Sequence, residues 1–305
     1  MRILFMGTPQ VAAVMLKKLA AENDICGVFC QPDKPVGRKR TIISPPVKLA
    51  AQELGIEVFQ PAKMRDGTAA ELVRRLDPEL IAVVAYGRLL PKEILEIPKH
   101  GCVNIHASLL PKYRGAAPIQ YALLNDEKIT GVTAMYMDVG LDTGDIIEER
   151  ELEICDADDE TTLFSRIGVL GAQLLCDTVR SIGSGDVTRV RQEERDATFA
   201  APIAKEQGRF SFYEDGAREI FCKVRALCEW PCASFICKEK TIKLIKCAQG
   251  ADAPAPAGTI IGTKPLTVAA KRGSIVLQRV TPEGSREMTG DEWSAGRRFK
   301  IGDVI

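Results

Sequence analysis

The chain has 305 residues, more than one typical domain, and 46% of them are hydrophobic, enough to bury two sizeable cores. Lys plus Arg and Asp plus Glu both number 41, which excludes a chain built as a whole around a polyanion. The charge is still uneven: 17 basic and 12 acidic residues stand from Lys205 onward, against 24 and 29 before it, so a weakly basic C-terminal third follows an acidic body. The opening MRILFMG reads as a buried strand rather than a basic segment with a signal-length apolar run, and no apolar stretch of about 18 residues occurs. The expectation is a cytoplasmic protein with no membrane part and with its ten cysteines reduced. Strand-like runs follow at 3–6, 25–30, 80–85, 102–105 and 132–137, alternating with helical stripes at 11–21, 47–54, 69–76 and 119–124. LIAVVAY is apolar on both faces, as a central parallel strand must be when helices cover the sheet, so the first half reads as a doubly wound α/β domain. A long helix is expected over 161–182, ending at Gly183-Ser-Gly185, then a connecting segment. Beyond it, one helix at 217–227 precedes short strands punctuated by Gly and Pro, the pattern of a small β-barrel or sandwich.

Four stretches carry candidate chemistry. The turn Met6-Gly-Thr-Pro-Gln10 lacks the second glycine with which a dinucleotide fingerprint approaches a pyrophosphate; Thr8 reads instead as a helix N-cap and Pro9 as the first helical residue. In VNIHASLLP, His106 leaves the carboxyl end of an expected parallel strand, where ligands bind in such sheets. Asn104 lies two residues earlier and shares its face, so an amide donor and an imidazole aim at one spot; a hydrogen-bonded structural histidine is the alternative. DVGLDTGD offers Asp138, Asp142 and Asp145, each able to cap a turn, without the spacing of a calcium loop. One carboxylate beside an imidazole would orient it and favour its charged form. Finally, four prolines and a glycine place Arg38, Lys39 and Arg40 on an irregular loop, open either to phosphate or simply to solvent. The cysteines at 222, 228, 232, 237 and 247 include no CxxC pair, and with only two histidines present no metal site is expected. Cys102 stands at the start of a buried strand with nothing basic beside it in sequence, so it reads as inert rather than as a thioester nucleophile.

NIHASLLPKYRGAAPIQ followed by GVTAMYMDVGLDTGDII, together with MGTP, QPDKPVGR, SPPVK, PELIAVVAYGRLLP and CEWP, resembles the folate-dependent formyltransferases over nearly the whole chain. The resemblance implies a Rossmann-like formyltransferase domain at 1–182, a linker at 183–207 and an OB-like barrel at 208–305 that helps hold tRNA. Carried over position by position, it puts Asn104, His106 and Asp142 on the catalytic triad. Ser108, Leu109, Leu110 and Pro111 fall on the tetrahydrofolate-binding segment, with Arg88 and Leu90 flanking the pterin. Arg38, with Lys39 and Arg40, falls on a loop that reaches the acceptor end of the tRNA. It further implies 10-formyltetrahydrofolate as formyl donor, initiator methionyl-tRNA as acceptor, no metal, and a monomer. Ala107 stands where many members have glycine, which leaves the side chains that do chemistry intact. The same three residues would serve a formyltransferase acting on an amino sugar nucleotide, which has no use for the 38–40 triplet or a basic second domain. Outside that class stand a noncatalytic RNA-binding protein, indifferent to loss of His106, and a hydrolase releasing formate.

Overall fold

Leu80–Val84 is buried at every residue and lies centrally in a seven-stranded sheet, as a strand covered on both faces must. In the structure, a computed structural model that describes all residues except 37–40 and 253, the sheet order is Ile146–Glu153, Ile129–Tyr136, Cys102–His106, Leu80–Val84, Arg2–Gly7, Asp24–Phe29 and Val58–Phe59. The last five of these are mutually parallel, the doubly wound arrangement expected from the sequence. Ile129–Tyr136 runs antiparallel to Cys102–His106, and Ile146–Glu153 pairs antiparallel with Ile129–Tyr136 in turn, directions that hydrophobic alternation does not encode. Ile146–Glu153, IIEERELE, is a strand the sequence pattern does not announce, because five of its eight residues are charged, as suits a sheet edge.

The chain divides into two compact units. The first comprises Met1–Pro118, Ile129–Glu153 and Phe164–Ala201; the second comprises Ile119–Lys128, Ile154–Leu163 and Pro202–Ile305. In the first unit, helix Thr68–Leu76 buries Ala69, Ala70, Val73 and Leu76 against a cluster that includes Leu4, Met6, Ile81, Val83 and Cys102. Each large apolar side chain so buried contributes about 1.5–3 kcal/mol. Pro9 proves to be the N-cap of helix Gln10–Ala20 rather than its first residue, and the Thr8 hydroxyl, expected to cap that helix, donates instead to the Tyr86 carbonyl at 3.2 Å. Residues 185–201 stay within the first unit: Phe199–Ala200 pairs in parallel with Arg114–Gly115, and Val190 bridges Ile146.

The second unit is antiparallel. Its sheet runs Ser234–Cys237, Lys240–Gly250, Ser274–Pro282, Leu266–Ala269, Ile260–Thr263, with Met288–Thr289 added to Ser274–Pro282. Phe210, Phe212, Phe235 and Trp293 form its aromatic core, with Phe212 edge-on to Phe235 at 5.0 Å and Phe235 edge-on to Trp293 at 6.0 Å. Helix Ala217–Ala226 presents Arg218 to Asp126 and Asp156, and that guanidinium holds the Asp126 carboxyl well below the usual carboxylate range. Among the described residues no helix is long and apolar enough to cross a membrane.

Candidate active site

Cys102–His106 is the last parallel strand, and its residues alternate between the two sheet faces. Ile105 packs where a Cβ on Gly171 of helix Glu160–Ser184 would lie 3.2 Å from it, so Asn104 and His106 face the other way, as the sequence pattern predicts. Both are nearly buried, at 8% and 6% exposure. Among the described residues the Asn104 carboxamide makes no hydrogen bond, yet it is not one of the polar groups sealed from solvent. The amide is thus an open donor at the site, in reach of solvent and committed to no protein group among the described residues. Cys102 shares this face, but burial pushes its thiol up to about 12, so it supplies no thiolate.

His106 Nε2 lies 2.9 Å from the Tyr113 carbonyl oxygen. A carbonyl only accepts, so Nε2 carries the proton and Nδ1 is the nitrogen left for chemistry. Nδ1 stands 3.7 Å from Asp142 Oδ2, beyond a hydrogen bond but within reach of a strong charge interaction. The Asp142 carboxylate is gripped at 2.8 Å by the Gly115 N–H. Tyr113 (φ 60°) and Gly115 (φ 118°) both turn through positive φ, which aims the carbonyl of one at the histidine and the N–H of the other at the aspartate. Only glycine fits at 115, since a Cβ there would approach the Ala200 carbonyl oxygen to 2.7 Å.

Asp142 itself is left-handed, at φ 54°, a conformation costing an L-residue about 1–2 kcal/mol. Its loop is tight: a Cβ on Gly144 would sit 1.7 Å from the Tyr136 carbonyl oxygen. Asp138, by contrast, spends its carboxylate on the Gly140 N–H and the Thr143 hydroxyl, as a turn former. Two residues that sequence reasoning passed over complete the surroundings. Gln192, 5% exposed, donates from Nε2 to the carbonyls of Asp142 (2.9 Å) and Gly144 (2.7 Å). Its Oε1 accepts from Nε of Arg114, at 3.0 Å, and the Arg114 side chain is fully buried with its remaining nitrogens on Glu194. The available signal was the Arg-Gly pair of KYRG, a charge and a glycine directly after an apolar turn.

The segment 108–111 forms that turn. The Ser108 hydroxyl donates to the Lys112 carbonyl at 2.6 Å, and the Thr133 hydroxyl donates to the Ser108 carbonyl and accepts from the Leu110 N–H. Ser108 and Leu110 therefore point inward, while Leu109 and Pro111 are half-buried. Arg88 ties Gln31 Oε1 and the Ala62 carbonyl, and Leu90 is buried in the core cluster with Tyr86. Arg38, Lys39 and Arg40 lie outside the described residues. Among the described residues no group of His, Cys, Asp and Glu is placed to hold a metal ion.

Residues 1–179 match the family model described as formyl transferase, and residues 202–298 match that described as formyl transferase, C-terminal domain. The chain is 43% identical to a methionyl-tRNA formyltransferase of Thermodesulfovibrio yellowstonii, covering 98% of this chain and 97% of that one. It is 42% identical to a methionyl-tRNA formyltransferase of Caldicellulosiruptor saccharolyticus, with both chains covered in full. Among solved structures, HypX from Aquifex aeolicus in complex with tetrahydrofolic acid superposes with a TM-score of 0.65 at 16% identity, over all of this chain and 49% of that one. The N-formyltransferase from Helicobacter canadensis, in complex with folinic acid and dTDP-3-aminofucose, gives 0.67 at 18% identity, over 90% and 98%. These two likenesses concern the fold.

Proposed function

Because the chain belongs to the formyl transferase family, we propose that its Asn104, His106 and Asp142 carry the formyl group of 10-formyltetrahydrofolate to the α-amino group of initiator methionyl-tRNA. The observation that carries the choice of acceptor is the identity of 41–43% to methionyl-tRNA formyltransferases, which runs through both halves of the chain. The enzyme acts as a cytoplasmic monomer in this reading. Leu109, Pro111 and the backbone of 108–111 form a wall for the folate, shaped from beneath by Ser108 and Leu110, with Arg88 and Leu90 flanking the pterin. Arg38, Lys39 and Arg40 meet the phosphates of the acceptor end.

The transfer is direct. The free α-amine attacks the formyl carbon, the C=O π pair moves to oxygen, and Asn104 donates an N–H to the oxyanion, a contact worth about 3 kcal/mol. The ammonium of the tetrahedral adduct loses a proton to Nδ1 of His106, whose ring is held through Nε2 by the Tyr113 carbonyl and whose new charge faces Asp142. The oxyanion pair returns to carbon, the C–N10 bond breaks, and N10 takes the proton from Nδ1. The products are the N-formylated acceptor and tetrahydrofolate, with His106 neutral again. The test is incubation with 10-formyltetrahydrofolate and charged initiator tRNA, followed by hydrolysis of the ester: N-formylmethionine is the expected product. No product on tRNA, alongside formylation of an amino sugar nucleotide, would replace the acceptor in this proposal.

A further inference from the structure

Asp142 holds a left-handed backbone in an otherwise irregular loop, and its carboxylate accepts the Gly115 N–H. Asp138 closes the turn on one side of the loop, and from outside it the loop is tied by Gln192, fifty residues after Asp142 in the chain. Its Nε2 spans the carbonyls of Asp142 and Gly144, so both hydrogens of one amide are spent on the two sides of Thr143. Its Oε1 is in turn fixed by Nε of Arg114, whose side chain is itself buried. Arg114 immediately precedes Gly115, the residue that grips the Asp142 carboxylate. The contacts therefore close a ring: Asp142 carboxylate, Gly115 N–H, Arg114 guanidinium, Gln192 amide, Asp142 carbonyl. We infer that Gln192, keyed by Arg114, is a positioning residue that sets the distance between Asp142 and Nδ1 of His106 during formyl transfer. The inference rests on the catalytic role proposed above for Asp142.

An amide is the side chain this place requires. A carboxylate in its stead would face two carbonyls with no donor, and a shortened side chain would reach neither. The Gln192 amide is spent on Arg114, Asp142 and Gly144, so its effect on the reaction passes through Asp142. That distinguishes it from a residue that merely stabilises the fold, because two groups acting through one step are not additive.

The experiment is a cycle of Gln192→Ala, Asp142→Ala and the double variant, each assayed at saturating 10-formyltetrahydrofolate with methionyl-tRNA and each checked by thermal melting. Gln192→Ala is expected to lower kcat by about 10- to 100-fold, with KM for tRNA unchanged within about threefold, a range typical of groups that orient others. The double variant should be no slower than Asp142→Ala alone. Arg114→Lys, which keeps the charge but removes the Nε donor, serves where Gln192→Ala does not fold, and should show the same loss and the same non-additivity. A loss in the double variant that multiplies the two single losses would overturn the inference, as would a Gln192 variant with normal kcat. If Asp142→Ala itself transfers formyl at a near-normal rate, the catalytic assignment of Asp142 fails first, and the result is read against that assignment.

Discussion

Asn104→Ala separates the cost of a residue to the fold from its value to the reaction. In the wild-type chain the carboxamide is 8% exposed, in reach of solvent and unpaired among the described residues, so no hydrogen bond to the protein is lost when it goes. Since the Cβ remains and only the small amide leaves, the loss is its packing, about 1 kcal/mol or less. The thermal midpoint should therefore move by no more than about 3 °C. The reaction, by contrast, loses a donor aimed at the developing oxyanion, which is worth roughly 10²–10³ in rate, or about 3–4 kcal/mol. The assay is single-turnover formylation at saturating donor and acceptor, with circular dichroism melts of the same preparations. A variant that transfers formyl within about threefold of wild type would refute the oxyanion role. So would one whose rate loss comes with a midpoint fall of many degrees, because the amide would then be a structural group.

Four further outcomes follow from the same structure. Gly115→Ala must place a Cβ against the Ala200 carbonyl at φ 118°, so it should cost about 3 kcal/mol or more in stability and release the Asp142 carboxylate; a stable, fully active variant would contradict that geometry. Cys102→Ala should retain formyl transfer within about threefold, and iodoacetamide at a pH near the ordinary thiol value of about 8.5 should leave Cys102 unmodified in the folded protein, because burial raises its pKa and denies access. In the second unit, Arg218 lowers the Asp126 pKa, so their pair contributes stability above the unfolded carboxyl value of about 4 and loses it as pH falls through the folded value; Asp126→Asn should flatten that acid limb in melts taken across pH. Arg38→Ala should weaken the tRNA reaction and reduce the slope of log KM against log salt by about one, and a loss independent of salt would place Arg38 away from phosphate.

Sequence reasoning reached the parts of the site that period and alternation encode. Asn104 and His106 share a face because a strand repeats every two residues, and LIAVVAY names its own place at the sheet centre. Asp142 was one of three equivalent acids by spacing; its selection came from the family resemblance, and the structure places its carboxylate at His106 while Asp138 closes a turn. Strand direction was out of reach for Ile129–Tyr136, since alternation is the same read either way. The Arg114–Gln192 and Gln192–Asp142 contacts join positions 78 and 50 residues apart through single hydrogen bonds, and no local pattern marks a glutamine as the partner of a distant carbonyl.

The grips on His106 and Asp142 come from main-chain atoms, a carbonyl at 113 and an N–H at 115. A mutational scan should therefore find position 115 intolerant, and position 113 selective for residues that adopt its positive φ. The alignment of the pair is in that sense written into the path of the chain: what holds the ring and the carboxylate is the course of the backbone from 113 to 115.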